Sequence, residues 1–422
     1  MSHEAIISIL IFVAVMVVII TEKVHRAVCA VGGAVLLLIL GILNIEEGVH
    51  YIDANTIGLL VGMMLFVGVA KRSGMFEYLA VKSAKVAKGN PWTMLVLFMI
   101  ITAVFSALLD NVTTVLLVGP MMLAICKEMN LNPVPFIMTS IMASNIGGTA
   151  TLIGDPPNIM IGSATGLTFG DFILNDAPVI VIIMIVSIFF FKLIYGKNLC
   201  ATPEAMESVM HMDEKSMIKD PVLLKKVVVM ILLIVAGFAL HGVLGLESSM
   251  IALAGATIMM IIGKQDVEEV VMDVEWPTII FFTALFICVG GMEHTGVIDA
   301  MADFIMKFTD GKPVMTMMII LWVSAILSST LDNIPFVATM IPLIQTMGES
   351  GMDTMPLWWA LSLGACLGGN GTLIGASANV VLTGIASKNG HPITYIEFLK
   401  IGFPTMILSL IICTVYMFIR YA

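Results

Sequence analysis

The sequence predicts an all-α polytopic membrane protein, built as an inverted-topology repeat of about ten transmembrane helices, two re-entrant helical hairpins and two discontinuous helices. Three observations predict it. The 422 residues are 59% apolar and 12% charged, with a mean hydropathy of +1.05; soluble domains run near 45–50% and about 25%. Uninterrupted apolar stretches near the length of a bilayer crossing recur along the whole chain. The two halves also repeat each other, and each contains an odd number of spans.

The predicted spans, in order, are 5–21, 27–43, 56–70, 134–164, 177–195, 227–241, 248–263, 277–292, 357–387 and 401–420. Residues 5–20 lack a positive n-region before them and a small-residue cleavage site after them, so they read as a first span and not as a removed signal peptide. Stretches 91–127 and 313–347 are apolar but broken mid-way by Leu109-Asp110-Asn111 and Leu331-Asp332-Asn333, with Pro120 and Pro335 as further interruptions. Lysine and arginine decide how these two lie, because they accumulate on the cytoplasmic side. If both are hairpins returning to their side of entry, the inner side holds 17 of the 20 basic residues, Arg26 among them, and the outer side 3. A single crossing at 91–127 would erase that bias. Both termini are then outside, and the outer loops are acidic, with Glu46, Glu47, Asp53, Asp171, Asp176, Glu349 and Asp353. Stretches 75–90 and 297–309 read as amphipathic interfacial helices leading into the hairpins. The polar stretch 196–226 reads as a cytoplasmic linker between a first repeat, 1–195, and a second, 227–422.

The repeat is direct to see. Thr56–Gly74 aligns with Thr278–Gly296 at a shift of 222, as does Asp110-Asn111 with Asp332-Asn333. Gly147–Gly154 aligns with Gly368–Gly375 at a shift of 221. Five spans per half force the second half upside down, an arrangement typical of transporters that bind near the midplane.

Four segments converge there: the hairpin tips 107–114 and 328–335, and the glycine-rich breaks 145–158 and 366–379. Broken helices expose N–H and C=O groups that are costly in hydrocarbon unless they line a cavity or face protein. Their N-termini suit anions and their unwound carbonyls suit cations; close helix packing is the alternative role for the glycines. Asp110, Asp155 and Asp332 lie in these segments and are candidate Na⁺ ligands or proton carriers, since an intramembrane carboxylate is costly. Helix capping is the alternative role and is compatible with ion binding. No lysine or arginine lies in the four segments, which favours a cation, a proton or a weakly charged oxyacid over a di- or tricarboxylate. Cys366, matched by Asn145 in the first half, offers either a soft ligand for a metalloid or a small buried hydrophobe.

Other classes fit poorly. Three arginines, no basic run and a net charge of −10 argue against nucleic acid. Six scattered cysteines form no metal-ligand spacing or disulfide framework, and the 35 methionines form no cluster. No Ser/His pair, HExxH or zinc-ligand set points to an enzyme, and no P-loop points to an ATP-driven pump. A channel gated where the hairpins meet is the remaining competitor.

The segments SALLDNVTTVLL, SSTLDNIPFVATMIPLI, GGTATLIGDPPN and GGNGTLIGASAN resemble the Ion Transporter superfamily, in the branch of the arsenite efflux permease (ArsB), the NhaD-type sodium/proton antiporters and the melanosomal P protein. The resemblance covers nearly the whole chain. It implies alternating access, a plasma-membrane location, a homodimer, an ATPase subunit of the kind some arsenite permeases take, and no cofactor beyond the coupling ion, H⁺ or Na⁺. By position it implies a site of Asp110, Asn111, Thr113, Thr114, Thr149, Thr151, Gly154, Asp155 and Asn158, with Asp332, Asn333, Asn370, Thr372, Ser377 and Asn379 from the second half. Ala376 stands where Asp155's mate would be, so the site is expected to be asymmetric. The implied activity is secondary ion transport of the arsenite or inorganic-anion permease type, with Na⁺/H⁺ antiport as the alternative. Asp332→Asn is expected to abolish coupling and leave folding intact.

Overall fold

The computed structural model describes residues 2–21, 23–197 and 199–421, and every regular element among them is helical. The first half runs α1 (His3–Ile20), α2 (Arg26–Ile39), α3 (Ile45–His50), α4 (Ala54–Ala70), α5 (Met75–Val86), α6 (Pro91–Leu108), α7 (Asn111–Glu128), α8 (Val134–Thr149), α9 (Pro156–Thr165), α10 (Phe169–Asn175) and α11 (Ala177–Tyr195). A short α12 (Pro203–His211) follows. The second half runs α13 (Pro221–Leu244), α14 (Ser248–Gly263), α15 (Val267–Met272), α16 (Trp276–His294), α17 (Val297–Phe308), α18 (Pro313–Thr330), α19 (Asn333–Glu349), α20 (Met355–Gly368), α21 (Ser377–Lys388) and α22 (Tyr395–Tyr421).

The starts of α2 to α7 recur at α14 to α19 with a shift of 222, and those of α8 and α9 at α20 and α21 with a shift of 221. The chain is thus an inverted repeat at the level of single helices. Packing obeys the same symmetry: α4 lies on α14 as α16 lies on α2, α6 on α8 as α18 on α20, and α7 on α21 as α19 on α9. Two of these three kinds of pair cross between halves, so neither half buries its apolar faces alone. Leu193 (82% exposed), Val243 (87%) and Ile419 (80%) stand outward, a placement at low cost only against lipid.

Local signals set the ends of the hairpin arms. Asn90 accepts from the Thr93 N–H at 3.0 Å and Pro91 opens α6, where its missing N–H has no helical partner to lose. Gly74 (φ +79°) and Gly296 (φ +74°) make the left-handed turns into α5 and α17. Gly147 and Gly368 let α8 and α20 lie directly on the backbone of Ala103 and Ala325, where a Cβ would collide.

Several expectations change. Pro335 does not interrupt its stretch: it sits in the first turn of α19, and the interior mate of Pro120 is Pro342. The sixth span begins at Pro221, not at residue 227. The polar segment before it is an ordered strap: Glu214 is held by Lys85 and Lys82, Lys219 reaches Glu77 at 2.7 Å, and the Lys219 N–H bonds to the Ser73 carbonyl at 3.1 Å. Asp176 is not a loop acid but wholly buried, and Arg26 is not a loop base but the first residue of α2, reaching inward.

The Lys85 ammonium, with Lys82 nearby, holds the Glu214 carboxyl down at about 2, against an ordinary 4.5. A depressed carboxyl stabilises its partner above the ordinary value, and that stabilisation is lost as pH falls toward the depressed one. The strap is therefore expected to stay docked at neutral pH and loosen between about 4.5 and 2. Glu214→Gln should expose it to limited proteolysis at pH 7; unchanged cleavage would rule out the anchor.

Candidate functional site

Both hairpin tips are built alike. After α6, Leu109 is extended and Asp110 caps α7, its carboxylate accepting the Thr113 N–H at 2.8 Å and the Thr113 hydroxyl. After α18, Leu331 is extended and Asp332 caps α19 by accepting the Ile334 N–H at 3.2 Å. The capping role holds for both aspartates. Asn111 donates to Asn145 at 3.4 Å, and Asn333 donates to Asp155 at 3.2 Å. Thr114 is buried, with its hydroxyl unpartnered among the described residues.

The breaks are closed by two equivalent asparagines. Asn158 donates both amide hydrogens to the carbonyls of Thr149 (3.1 Å) and Thr151 (3.0 Å). Asn379 donates to those of Gly369 (2.7 Å) and Thr372 (2.9 Å). The Thr151 hydroxyl donates to the Ala107 carbonyl at 2.5 Å, and Thr372 bonds in the same way to Ser329, tying each break to its own hairpin. The Thr149 hydroxyl donates back to the Asn145 carbonyl. Gly154 lies against the Gly148 and Ser106 carbonyls.

The halves are then joined across the centre. Asn145 donates to the amide oxygens of Asn370 (2.9 Å) and Asn379 (3.0 Å), while its counterpart Cys366 points its thiol at the Asn158 amide oxygen, 3.5 Å away. Of the residues expected to bind ligand, Thr113, Asn145, Thr149, Thr151, Gly154, Asn158, Cys366, Thr372 and Asn379 make contacts that hold the breaks, tips and halves together, while Asn370 accepts from Asn145 and its buried amide nitrogen has no partner among the described residues.

Asp110, Asn111, Asp155, Asn333 and Ser377 do face one small central cavity of about 20 Å³, roughly one water. Asp332 borders it through Arg26. The Arg26 guanidinium donates to Asp332 at 2.8 Å, to Ser377, and to Thr278 at 3.2 Å, and lies 5.2 Å from the Phe281 ring centre. Glu275 completes the lining and accepts from Thr278 at 3.3 Å. One oxygen of fully buried Asp155 has no partner among the described residues. A second cavity, about 340 Å³, reaches Arg26, Asp332 and Ser377 from the α1–α2 turn.

Arg26, Glu275 and Thr278 are therefore site residues that the four-segment reading missed, and its premise of a site without a basic side chain is corrected. A signal existed for two of them: at the shift of 222, Thr278 repeats Thr56 as the first residue of the aligned block, and Glu275 repeats Asp53 just before it. Arg26 had none, since its mate is Ser248. Among the described residues no three His, Cys, Asp or Glu side chains gather closely enough to share one metal ion.

A family model described as citrate transporter (CitMHS) matches residues 16–364. An uncharacterized transporter of Mycobacterium tuberculosis is 41% identical, with 99% of each chain covered. The human P protein is 32% identical over 96% of this chain and 58% of its own length. The crystal structure of the YdaH transporter of Alcanivorax borkumensis shares the fold, with a TM-score of 0.57 over 89% of this chain and 86% of that one, at 15% identity. The chain is a membrane transporter, not an enzyme, and belongs to the citrate-transporter family of the Ion Transporter superfamily.

Proposed function

We propose that this protein is a secondary active ion transporter of the arsenite or inorganic-anion permease type, working by alternating access and coupled to H⁺ or Na⁺. The observation that carries the reading is a single guanidinium, Arg26, set among Asp110, Asp155, Asp332 and Glu275 where the tips and breaks of two inverted halves meet. Arg26, with the nearby helix N-termini, suits a small anion or oxyacid. The carboxylates suit the coupling cation, and of the four only Asp332 forms an ion pair with Arg26 among the described residues. A tricarboxylate such as citrate would bring three negative charges to four carboxylates and one arginine, which disfavours it. The excess of carboxylates specifically favours Na⁺/H⁺ antiport as the second reading.

The same reading puts the protein in the plasma membrane as a homodimer, with both termini outside and 196–226 in the cytoplasm between repeats 1–195 and 227–422. It uses no cofactor beyond the coupling ion, and an ATPase subunit would be an accessory. The test is purified protein in liposomes holding a pH-sensitive dye. Arsenite-dependent proton or sodium flux that is lost in Asp110→Asn supports the permease. A response to Na⁺, Li⁺ or K⁺ alone supports the antiporter. Silence in both assays defeats arsenite transport and cation/proton antiport, and makes other inorganic anions the next substrates to add.

A further inference from the structure

Asp176, between α10 and α11, lies outside the central site and is fully buried. One of its carboxyl oxygens, Oδ1, has no hydrogen-bond partner among the described residues. The other, Oδ2, lies 2.6 Å from the Ser362 hydroxyl, and the same hydroxyl lies 2.7 Å from the amide oxygen of Asn158. Both distances are those of O–H···O bonds.

The hydrogens can be counted. Asn158 places both of its amide hydrogens on the Thr149 and Thr151 carbonyls, which fixes its oxygen, an acceptor only, toward Ser362. Ser362 has one hydroxyl hydrogen to give. Were Asp176 ionised, it too would only accept, and one of the two short oxygen pairs would have no hydrogen between its lone pairs. The arrangement is satisfied when Asp176 carries a proton, donates it to Ser362, and Ser362 donates to Asn158. The orphaned Oδ1 agrees, because a buried carboxylate oxygen without a partner is far costlier when charged.

Among the described residues, no charged or titratable group around this corner forms an ion pair with Asp176. Arg420 on α22 donates to the Leu174 carbonyl (3.0 Å) and the Tyr416 hydroxyl (2.7 Å), with no bond to Asp176. Tyr416 and Tyr421 donate to Asn175, and Cys413 is buried beside them. Asp171 on α10 caps its own helix, His241 on α13 accepts from the Phe169 N–H, Cys366 on α20 turns to Asn158, and α8 carries no titratable side chain.

We infer that Asp176 is a proton-binding site of this transporter, whose neutral form acts through Ser362 to hold Asn158 and so lock the first broken helix. When the proton leaves to water, the Ser362 hydroxyl turns to the carboxylate and the Asn158 oxygen loses its hydroxyl donor, keeping only the weak Cys366 thiol contact. Asp176 is a positioning residue in this scheme, and its link to transport rests on the proposed function.

The full chain in lipid, studied by infrared difference spectroscopy at neutral pH, tests the proton directly. Subtracting Asp176→Asn from wild type should reveal a lost carbonyl band of a protonated carboxylic acid. Loss of carboxylate bands instead would overturn the inference. Ser362→Ala, which keeps Asp176, should move that band to higher wavenumber; an unmoved band counts against the inference. In transport, Asp176→Asn is fixed in the neutral form, with its amide able to donate to Ser362. Its activity should no longer fall at alkaline pH where wild type falls, and an unaltered pH profile would overturn the link to the broken helix. The spectra need no substrate, so they fail or succeed independently of the transport reading.

Discussion

Asp332→Asn should abolish coupled transport, with flux in the liposome assay falling by at least about a hundredfold. The expected cause is the loss of one carboxylate at a hairpin tip and the release of Arg26 from its 2.8 Å ion pair. Breaking a buried pair by removing one partner costs about 3–5 kcal/mol, and about 3 kcal/mol in the transition state for transport is already more than a hundredfold in rate. The variant should also lose stability, contrary to the expectation from sequence that folding is untouched, because Arg26 loses its direct ion-pair partner and keeps only the more distant carboxylates of the cavity. That loss is tempered, since the Arg26 side chain keeps 24% of its surface exposed and retains some water. The double variant Arg26→Gln, Asp332→Asn removes the stranded charge. It should recover thermal stability without recovering transport. Full transport by Asp332→Asn would remove the tip carboxylate from the mechanism.

Asn379→Ala should be the most destabilising single substitution at the breaks. It strips the side-chain donor from the Gly369 carbonyl and one of the two acceptors from the Asn145 amide, and leaves the Thr372 carbonyl with only the Gly375 N–H, all in a buried region. Each orphaned buried group costs about 1–3 kcal/mol, so the total is of the order of 4 kcal/mol. Heating detergent-solubilised protein and following the monodisperse fraction by size exclusion reads it out. Asn158→Ala should behave similarly, since it occupies the equivalent position and also loses Ser362. A melting point within a degree or two of wild type for both would show that the asparagines do not close the breaks.

The equivalence of these asparagines was legible because the sequence carries its own internal comparison. Asn158 and Asn379 stand at the ends of matching glycine-rich blocks, and Asp110 and Asp332 at matching tips. What each side chain does was not legible. Thr149, Thr151 and Thr372 look like ligands when judged by residue type, yet their hydroxyls serve carbonyls in the last turns of α8, α6 and α18, where those helices end at the breaks and tips. Backbone polarity freed by a break must be satisfied inside the membrane, and nearby threonines and asparagines are the cheapest partners.

The sequence by itself determined the membrane class, the hairpins, the breaks and the inverted repeat. Those features follow from local signals: runs of apolar residues, glycine and proline, capping aspartates, and the bias of lysine and arginine. Only the tertiary structure decided the electrostatics of the site. Arg26 and Asp332 are 306 positions apart and Ser362 and Asp176 are 186 apart. Whether a charge near a span end lies in a loop or turns inward depends on which helix packs beside it. Hydropathy reports the energy of each segment in lipid, and it does not report which segments become neighbours.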